Sequence, residues 1–219
     1  ISQFSISIVL LIATAITFQQ LGYLNSRDLG YTKDQVVVLS LYNEVGDTYD
    51  AFYNELTKSS AIENVGRSSR IPTGRLLDSQ GPPLVTIGDS LVNSTITTKM
   101  VIADTEFFKT YGIEMAAGRD FSKSIPTDDS LAFIINETAA NMYGWKNIGD
   151  GLDKDFSYGG TKGKLIGIVK DFHFESLHQP IIPLVFYQNT QNYNDLSIKI
   201  TGNQVTQGIE HTEKVWKEF

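Results

Sequence analysis

The chain opens on apolar and small residues that follow one another without a charge: ISQFSISIVLLIATAITF leads, and the first charged side chain is Arg27. At about 1.5 Å rise per residue, a helix over Ile1 to Leu24 covers roughly the 30 Å of a hydrocarbon core. Its apolar surface continues all round and leaves no polar face to dock on a domain, so residues 1–24 predict a transmembrane helix. Two readings compete. Ala13-Thr14-Ala15 has the small-x-small form of a signal cleavage site, but no initiator Met or basic segment precedes the run, which continues through Ile16 and Phe18. The other is a buried core helix.

Beyond a polar connector over 25–34, the pattern changes to short alternations. QVVVLSL, residues 35–41, is β-branched and short, as a buried strand is. Asp47 or Thr48 caps a helix whose apolar stripe is Tyr49, Phe52, Tyr53 and Leu56, and IENVG supplies a second strand, which makes a βαβ-like unit. From Arg70 to Pro83, glycine, proline and polar residues separate this unit from a middle region. There STITTKMVIA is extended, and Asp104 caps a short helix TEFFKTY that Gly112 closes. LAFII is a strand, and Asn136 caps ETAANMY, closed by Gly144. KLIGIV, PLVFY and LSIKI add three strands. A last helix aligns Val205, Ile209, Thr212, Trp216 and Phe219 on one face, a stripe still running where the sequence stops, as expected of a fragment cut short before a closing strand.

Composition narrows the class. With 219 residues and 41% hydrophobic side chains, the chain can bury one sizeable core or two small ones. It has no cysteine, which excludes disulfides and thiolate metal sites. A formal net charge of −7, with Lys and Arg scattered singly, lacks the basic footprint that nucleic acid requires. Beside the span, Arg27 and Lys33 are cancelled by Asp28 and Asp34. The positive-inside rule then places this side away from the cytoplasm.

Candidate chemistry is sparse. His173 and His178 lie near Asp171 and Glu175, and on a helix 171, 175 and 178 would share a face fit for zinc. Pro180 and the texture of KDFHFESLHQP predict a strand end and an irregular turn instead. YGGTKGK, residues 158–164, approaches a phosphate loop, but its glycine-to-lysine spacing is one short and Leu165 stands where Ser or Thr must meet magnesium. It reads as a hairpin turn. Asp128, Asp129, Asp153 and Asp155 read as solvated turn residues, and Arg119 with Asp120 as a pair bracing the turn of AAGRD. No GxSxG, HExxH or GxGxxG is present.

Four blocks, FQQLGYLNSRDLGYTKDQVVVL, ADTEFFKTYGIEMAAGRDFS, FIINETAANMYGW and IGIVKDFHFESLHQPIIPLVF, taken in this order, resemble the MacB-like periplasmic core domain of FtsX-like ABC transporter permeases. The resemblance implies an α+β, two-lobed domain preceded by one transmembrane helix. Residues 1–24 would be that helix and 25–34 the connector. A βαβ porter-like lobe would take its first half from 35–71 and its second, C-terminally truncated half from 157–219. Residues 72–156 would form an inserted mixed α/β lobe.

The family has no catalytic, cofactor or metal residue in this domain to carry over, so no enzyme activity is expected. The implied location is the bacterial inner membrane, with the domain in the periplasm. The implied partners are a cytoplasmic ABC ATPase subunit or domain, a second permease copy or fused second half, a periplasmic partner, and membrane lipid. The domain would transmit ATP-driven movement for export or mechanotransmission. The alternatives are a membrane-anchored ligand-binding or sensor domain, and an anchored hydrolase, against which the missing nucleophile and base speak.

Overall fold

The computed structural model describes residues 2–26, 29–41, 48–72 and 74–219. Helix α1, Ser2–Ser26, stands apart: its described side chains are exposed, and its Ser2–Gln20 stretch has a mean hydropathy of 1.6 with none of it buried. The hydroxyls of Ser7, Thr14 and Thr17 donate to the carbonyls of Gln3, Leu10 and Ala13, one turn back. These three hydroxyls are thereby satisfied within the helix.

The remainder builds two sheets. The smaller has the order β1-β11-β2, formed by β1 (Val36–Ser40), β2 (Ile62–Ser68) and β11 (Asp195–Ile200). Both β1 and β2 run antiparallel to β11, with Val38 opposite Ser197 and Ser197 opposite Gly66. Helices α2 (Tyr49–Leu56) and α6 (Val205–Glu218) cover one face. Alternation in β11 sends Leu196, Ile198 and Ile200 toward them, into a core with Phe52, Leu56, Val65 and Val215. Asp47, one of the two expected caps of α2, lies outside the described residues, and Thr48 takes the N-cap position.

The larger sheet has the order β4-β3-β8-β9-β7-β10-β5, with β6 also paired to β9. Its strands are β3 (Leu84–Ile87), β4 (Ser90–Asn93), β5 (Lys99–Ile102), β6 (Met115–Gly118), β7 (Ala132–Asn136), β8 (Asp155–Tyr158), β9 (Thr161–Val169) and β10 (Leu184–Tyr187). The pairs β7/β9 and β10/β5 are parallel and the others antiparallel. Helices α3 (Phe107–Tyr111), α4 (Asp128–Leu131) and α5 (Glu137–Met142) complete it. Two apolar clusters pack on it: one holds Phe107, Phe108, Ile134 and Phe186, the other Phe133, Ile135, Phe156 and Val185.

This arrangement corrects the division drawn from sequence. Residues 157–187, assigned there to the second half of the smaller lobe, pair within the larger sheet, and only β11 and α6 return to the smaller one. The cause is local. A two-residue turn, Gly159-Gly160, forces β9 back along β8, and from Leu165 onward β9 is buried as an interior strand. The hairpin β3–β4, turning at Gly88-Asp89, and the single turn α4 are additions to the expected elements. The expected helix closures are present: Gly112 is left-handed at φ +63 after α3, and Asn136 caps α5 by accepting from the Ala139 amide. Asp104 accepts from the Glu106 amide just ahead of α3.

α3 joins the two units. Where Gly66 lacks a Cβ, Thr110 Oγ1 and the backbone of Phe107 stand 2.8 and 3.1 Å from the place it would occupy. Asn64 Nδ2 donates to the Glu106 carbonyl and to Thr110 Oγ1, and the Tyr111 hydroxyl meets Ser197 Oγ at 2.7 Å. On the other side of α3, Phe108 lies edge-on to Phe186 at 4.9 Å between ring centres. The segment after α1 is held to the same region: the His173 amide donates to Leu29 O and the Thr32 amide to Tyr111 O, while the Tyr31 ring meets Tyr111 and Phe172 edge-on.

Two outcomes follow from these contacts. A chain beginning at Leu29 keeps its thermal transition and elutes as a folded monomer without detergent, since the described part of α1 contributes nothing to either core. Gly66→Val destabilises the fold by roughly 1–3 kcal/mol in urea titration, because α3 must move to admit the side chain.

Candidate functional site

The segment following β9 carries the densest polar network. Asn136 Oδ1 accepts from the amides of Ala139 and Leu184, and its Nδ2 donates to Asp171 and to the carbonyl of Ile182. Asp171 accepts in addition from the amide and the hydroxyl of Thr138, and its own amide donates to Glu137. Both oxygens of Asp171 are thus committed to the start of α5. Glu175 accepts from the Leu76 amide. The segment has no helix to bring 171, 175 and 178 onto one face. His173 is half-buried and His178 exposed, and among the described residues no group of three His, Cys, Asp or Glu is arranged to hold a metal.

Arg119 braces a different partner from the one its sequence suggests. The backbone at Gly118 is left-handed at φ +73, and Arg119 follows it with a forked contact to both oxygens of Asp128, at 2.5 and 2.8 Å. Asp128 is therefore not a solvated turn residue: its side chain is only 1% exposed, and it also accepts from the Ser122 amide. Asp129 beside it is exposed, as expected. Asp120 accepts from the Phe121 amide, while Arg119 donates to its backbone carbonyl. Asp155 pairs with Lys164 at 2.7 Å, and Asp153 takes a left-handed φ of +59.

YGGTKGK forms the β8–β9 hairpin, with Gly159 and Gly160 both at positive φ. A strand follows the glycines where a phosphate cradle needs a helix N-terminus. Beside this hairpin lies an open groove of about 610 Å³ lined by Leu91, Leu131, Phe156, Ile166, Arg119 and Lys162 among others. A second cleft of about 620 Å³ includes Arg75, Leu77, Lys99 and Glu175. Among the described residues no histidine lines either.

Sequence reasoning missed one constellation. Arg67 on β2 faces Asp104 at 3.5 Å, and its guanidinium lies 3.5 Å from the centre of the Tyr49 ring and 4.7 Å from that of Tyr193. Asp104 was legible only as a helix cap, because its partner is separated from it by the whole middle-region hairpin.

The two sheets are joined through α3 and through the backbone bridge of Ser68 with Ala103. The chain has the fold of the periplasmic region of MacB from Actinobacillus actinomycetemcomitans, with a TM-score of 0.55 and 13% identity over 86% of this chain and 85% of that one. The extracellular domain of the noncanonic ABC-type transporter YknZ from Gram-positive bacteria aligns over 77% of this chain and 78% of that one, at a TM-score of 0.47 and 13% identity. No family model matches the sequence, and no curated protein matches it.

With the glycines of YGGTKGK folded into a hairpin turn, the protein gives no melting-temperature shift and no phosphate release with millimolar Mg-ATP. Saturable stabilisation by nucleotide, with contaminating ATPase removed, is the result that would contradict this.

Proposed function

We propose that this chain is an extracytoplasmic part of an ABC transporter permease, held at a bacterial inner membrane by α1 and driven by a separate cytoplasmic ATPase. The observation that carries the reading is the MacB periplasmic fold over most of the chain, beside an apolar helix whose described surface is left entirely free. The polar networks at Asn136–Asp171 and Arg119–Asp128 are consumed in holding loops.

Movement would enter through the connector. Thr32 and Tyr31 are tied to Tyr111 and Phe172, so a tilt of α1 is delivered to α3 and the end of β9 before it reaches β1. Those two places belong to the larger sheet, and α3 also seats the smaller one. Tilt would therefore carry both units together, with nucleotide shifting the balance between two states of the assembly. Export of a small molecule, lipid or peptide and transmission of force to a periplasmic partner both fit such a coupling.

A nitroxide on Asp129→Cys, in a chain with no native cysteine, reads the separation of two copies in the assembled transporter. Asp129 is chosen because substitution of neighbouring Asp128 would strip Arg119 of its partner. The distance distribution shifts between the ATP-trapped and nucleotide-free states. Superimposable distributions would sink the transmission reading and leave a passive docking platform.

A further inference from the structure

The connector fixes which end of the larger unit lies nearest α1. The helix ends at Ser26, and at Leu29 the backbone carbonyl already accepts from the His173 amide, while the Tyr31 hydroxyl donates to the carbonyl of Pro72. The chain between Ser26 and Leu29 reaches no further than about 11 Å, so the segment after β9 stays beside the helix end however α1 is tilted. Ser26 itself stands about 3 Å along the axis beyond Leu24, within the layer of roughly 5–7 Å that headgroups add on each side of a hydrocarbon core. β7 marks the two ends of the larger sheet. Asn136, at its finish, bonds to Asp171 and to the carbonyl of Ile182 on the connector side, whereas α4 holds Asp129 ahead of its start, at the far end.

The cleft of about 620 Å³ belongs to the connector end, since Glu175 and Ile182 line it and Glu175 ties it to the loop at Leu76. Its charge runs against that of the chain. The sequence carries a net −7, yet the cleft presents Arg75 and Lys99 against a single carboxylate, Glu175, which accepts from the Leu76 amide. The acids beside it are engaged as well, Asp171 by Thr138 and Asn136, and Asp78 by Arg70. Arg75 is exposed and, among the described residues, has no ion pair, and Lys99 Nζ donates to the Leu77 carbonyl at 3.2 Å. Between these two cations the Leu77 side chain stands 63% exposed, although Leu76 beside it is buried in the core. An apolar side chain turned outward between unpaired cations is the composition of a surface that meets lipid.

We propose that this cleft docks on the anionic phospholipid headgroups of the membrane that α1 spans: Arg75 and Lys99 take the phosphates, and Leu77 enters the apolar boundary beneath them. The inference rests on the reading of α1 as a membrane span. The attraction of a basic side chain to an anionic leaflet fades within a Debye length, about 8 Å at physiological salt, so it acts only on cations held close to the bilayer. The short connector supplies that closeness. It also leaves little room for another occupant, because about 11 Å of reach is the width of a single helix. Docking gives the domain a second attachment to the bilayer besides the connector, and so sets the angle at which it rests.

The test uses the full chain in nanodiscs, with one cysteine introduced into a sequence that has none and labelled with a fluorophore. Gln179→Cys, an exposed position on the cleft, is quenched by lipid spin-labelled at the headgroup when phosphatidylglycerol is mixed into phosphatidylcholine, and Asp129→Cys at the far end is not. Arg75→Gln combined with Lys99→Gln lowers the ratio of docked to undocked domain roughly thirty-fold, and salt at about 0.5 M releases the wild type in the same way. Both substitutions keep a polar side chain on the surface, so the melting temperature stays at the wild-type value. Quenching at Gln179→Cys that is indifferent to phosphatidylglycerol, or that survives in the double variant, would overturn the assignment to anionic lipid. Absence of quenching there in every lipid would overturn docking and leave the cleft to a protein partner. Ile12→Cys, read with lipid spin-labelled in the acyl chain, separates the two readings. If Ile12→Cys is quenched and Gln179→Cys is not, docking fails while α1 still spans the membrane; if Ile12→Cys is not quenched, the membrane reading fails and docking falls with it.

Discussion

Gly66 has no side chain, and α3 occupies the space. The Thr110 hydroxyl and Phe107 backbone already lie near 3 Å from its missing Cβ, and beside this contact the backbone of Ser68 bridges that of Ala103, so the two sheets meet here both directly and through α3. The consequences spread outward. Five residues of helix must satisfy a polar face toward Asn64 and Ser197 and an aromatic face toward Phe186 and Phe121. That demand explains why α3 is nearly all buried despite its length, and why its C-terminus is closed by a left-handed glycine rather than another turn. The connector from α1 then packs on Tyr111, so the connector, the larger sheet and the smaller sheet meet within a single turn of helix.

Much of the local structure was legible because it rests on short-range rules. Asn136 as a cap, Gly112 as a stop, the Gly159-Gly160 hairpin and the apolar stripe of α2 each depend on neighbours a few residues away. What escaped was long-range. KLIGIV and PLVFY read correctly as strands, but a continuous apolar run carries no mark of which sheet receives it, and both joined the larger one. The β3–β4 hairpin was passed over because its strands are short and their alternation is weak, although Gly88-Asp89 is a two-residue hairpin turn.

Asp128 shows the same limit for chemistry. In sequence it is one of two adjacent aspartates in a loop rich in Ser and Thr, a setting that normally means solvent. In the fold, Gly118 turns the chain so that Arg119 reaches it, and burial follows from the pairing. The partnership of Arg67 with Asp104 was equally out of reach, since a guanidinium between two tyrosines is assembled from three separate elements. The fold class, by contrast, was legible in four ordered blocks of residues, and the chain takes the MacB periplasmic fold.

The pairing of Val36 with Lys199 carries a consequence for how the domain is made. β1 follows α1 and pairs with β11, with every strand of the larger sheet between them in sequence, so their ladder closes a long loop, which is slow by chain entropy. During synthesis β1 must wait, apolar and unpaired, while every strand of the larger sheet is already available to its partners. The larger unit can therefore assemble first around β9, and its α3 would present a finished seat at which β2 and β11 are gathered. Until then the β-branched edge of β1 stands open, the kind of unpaired strand that invites aggregation.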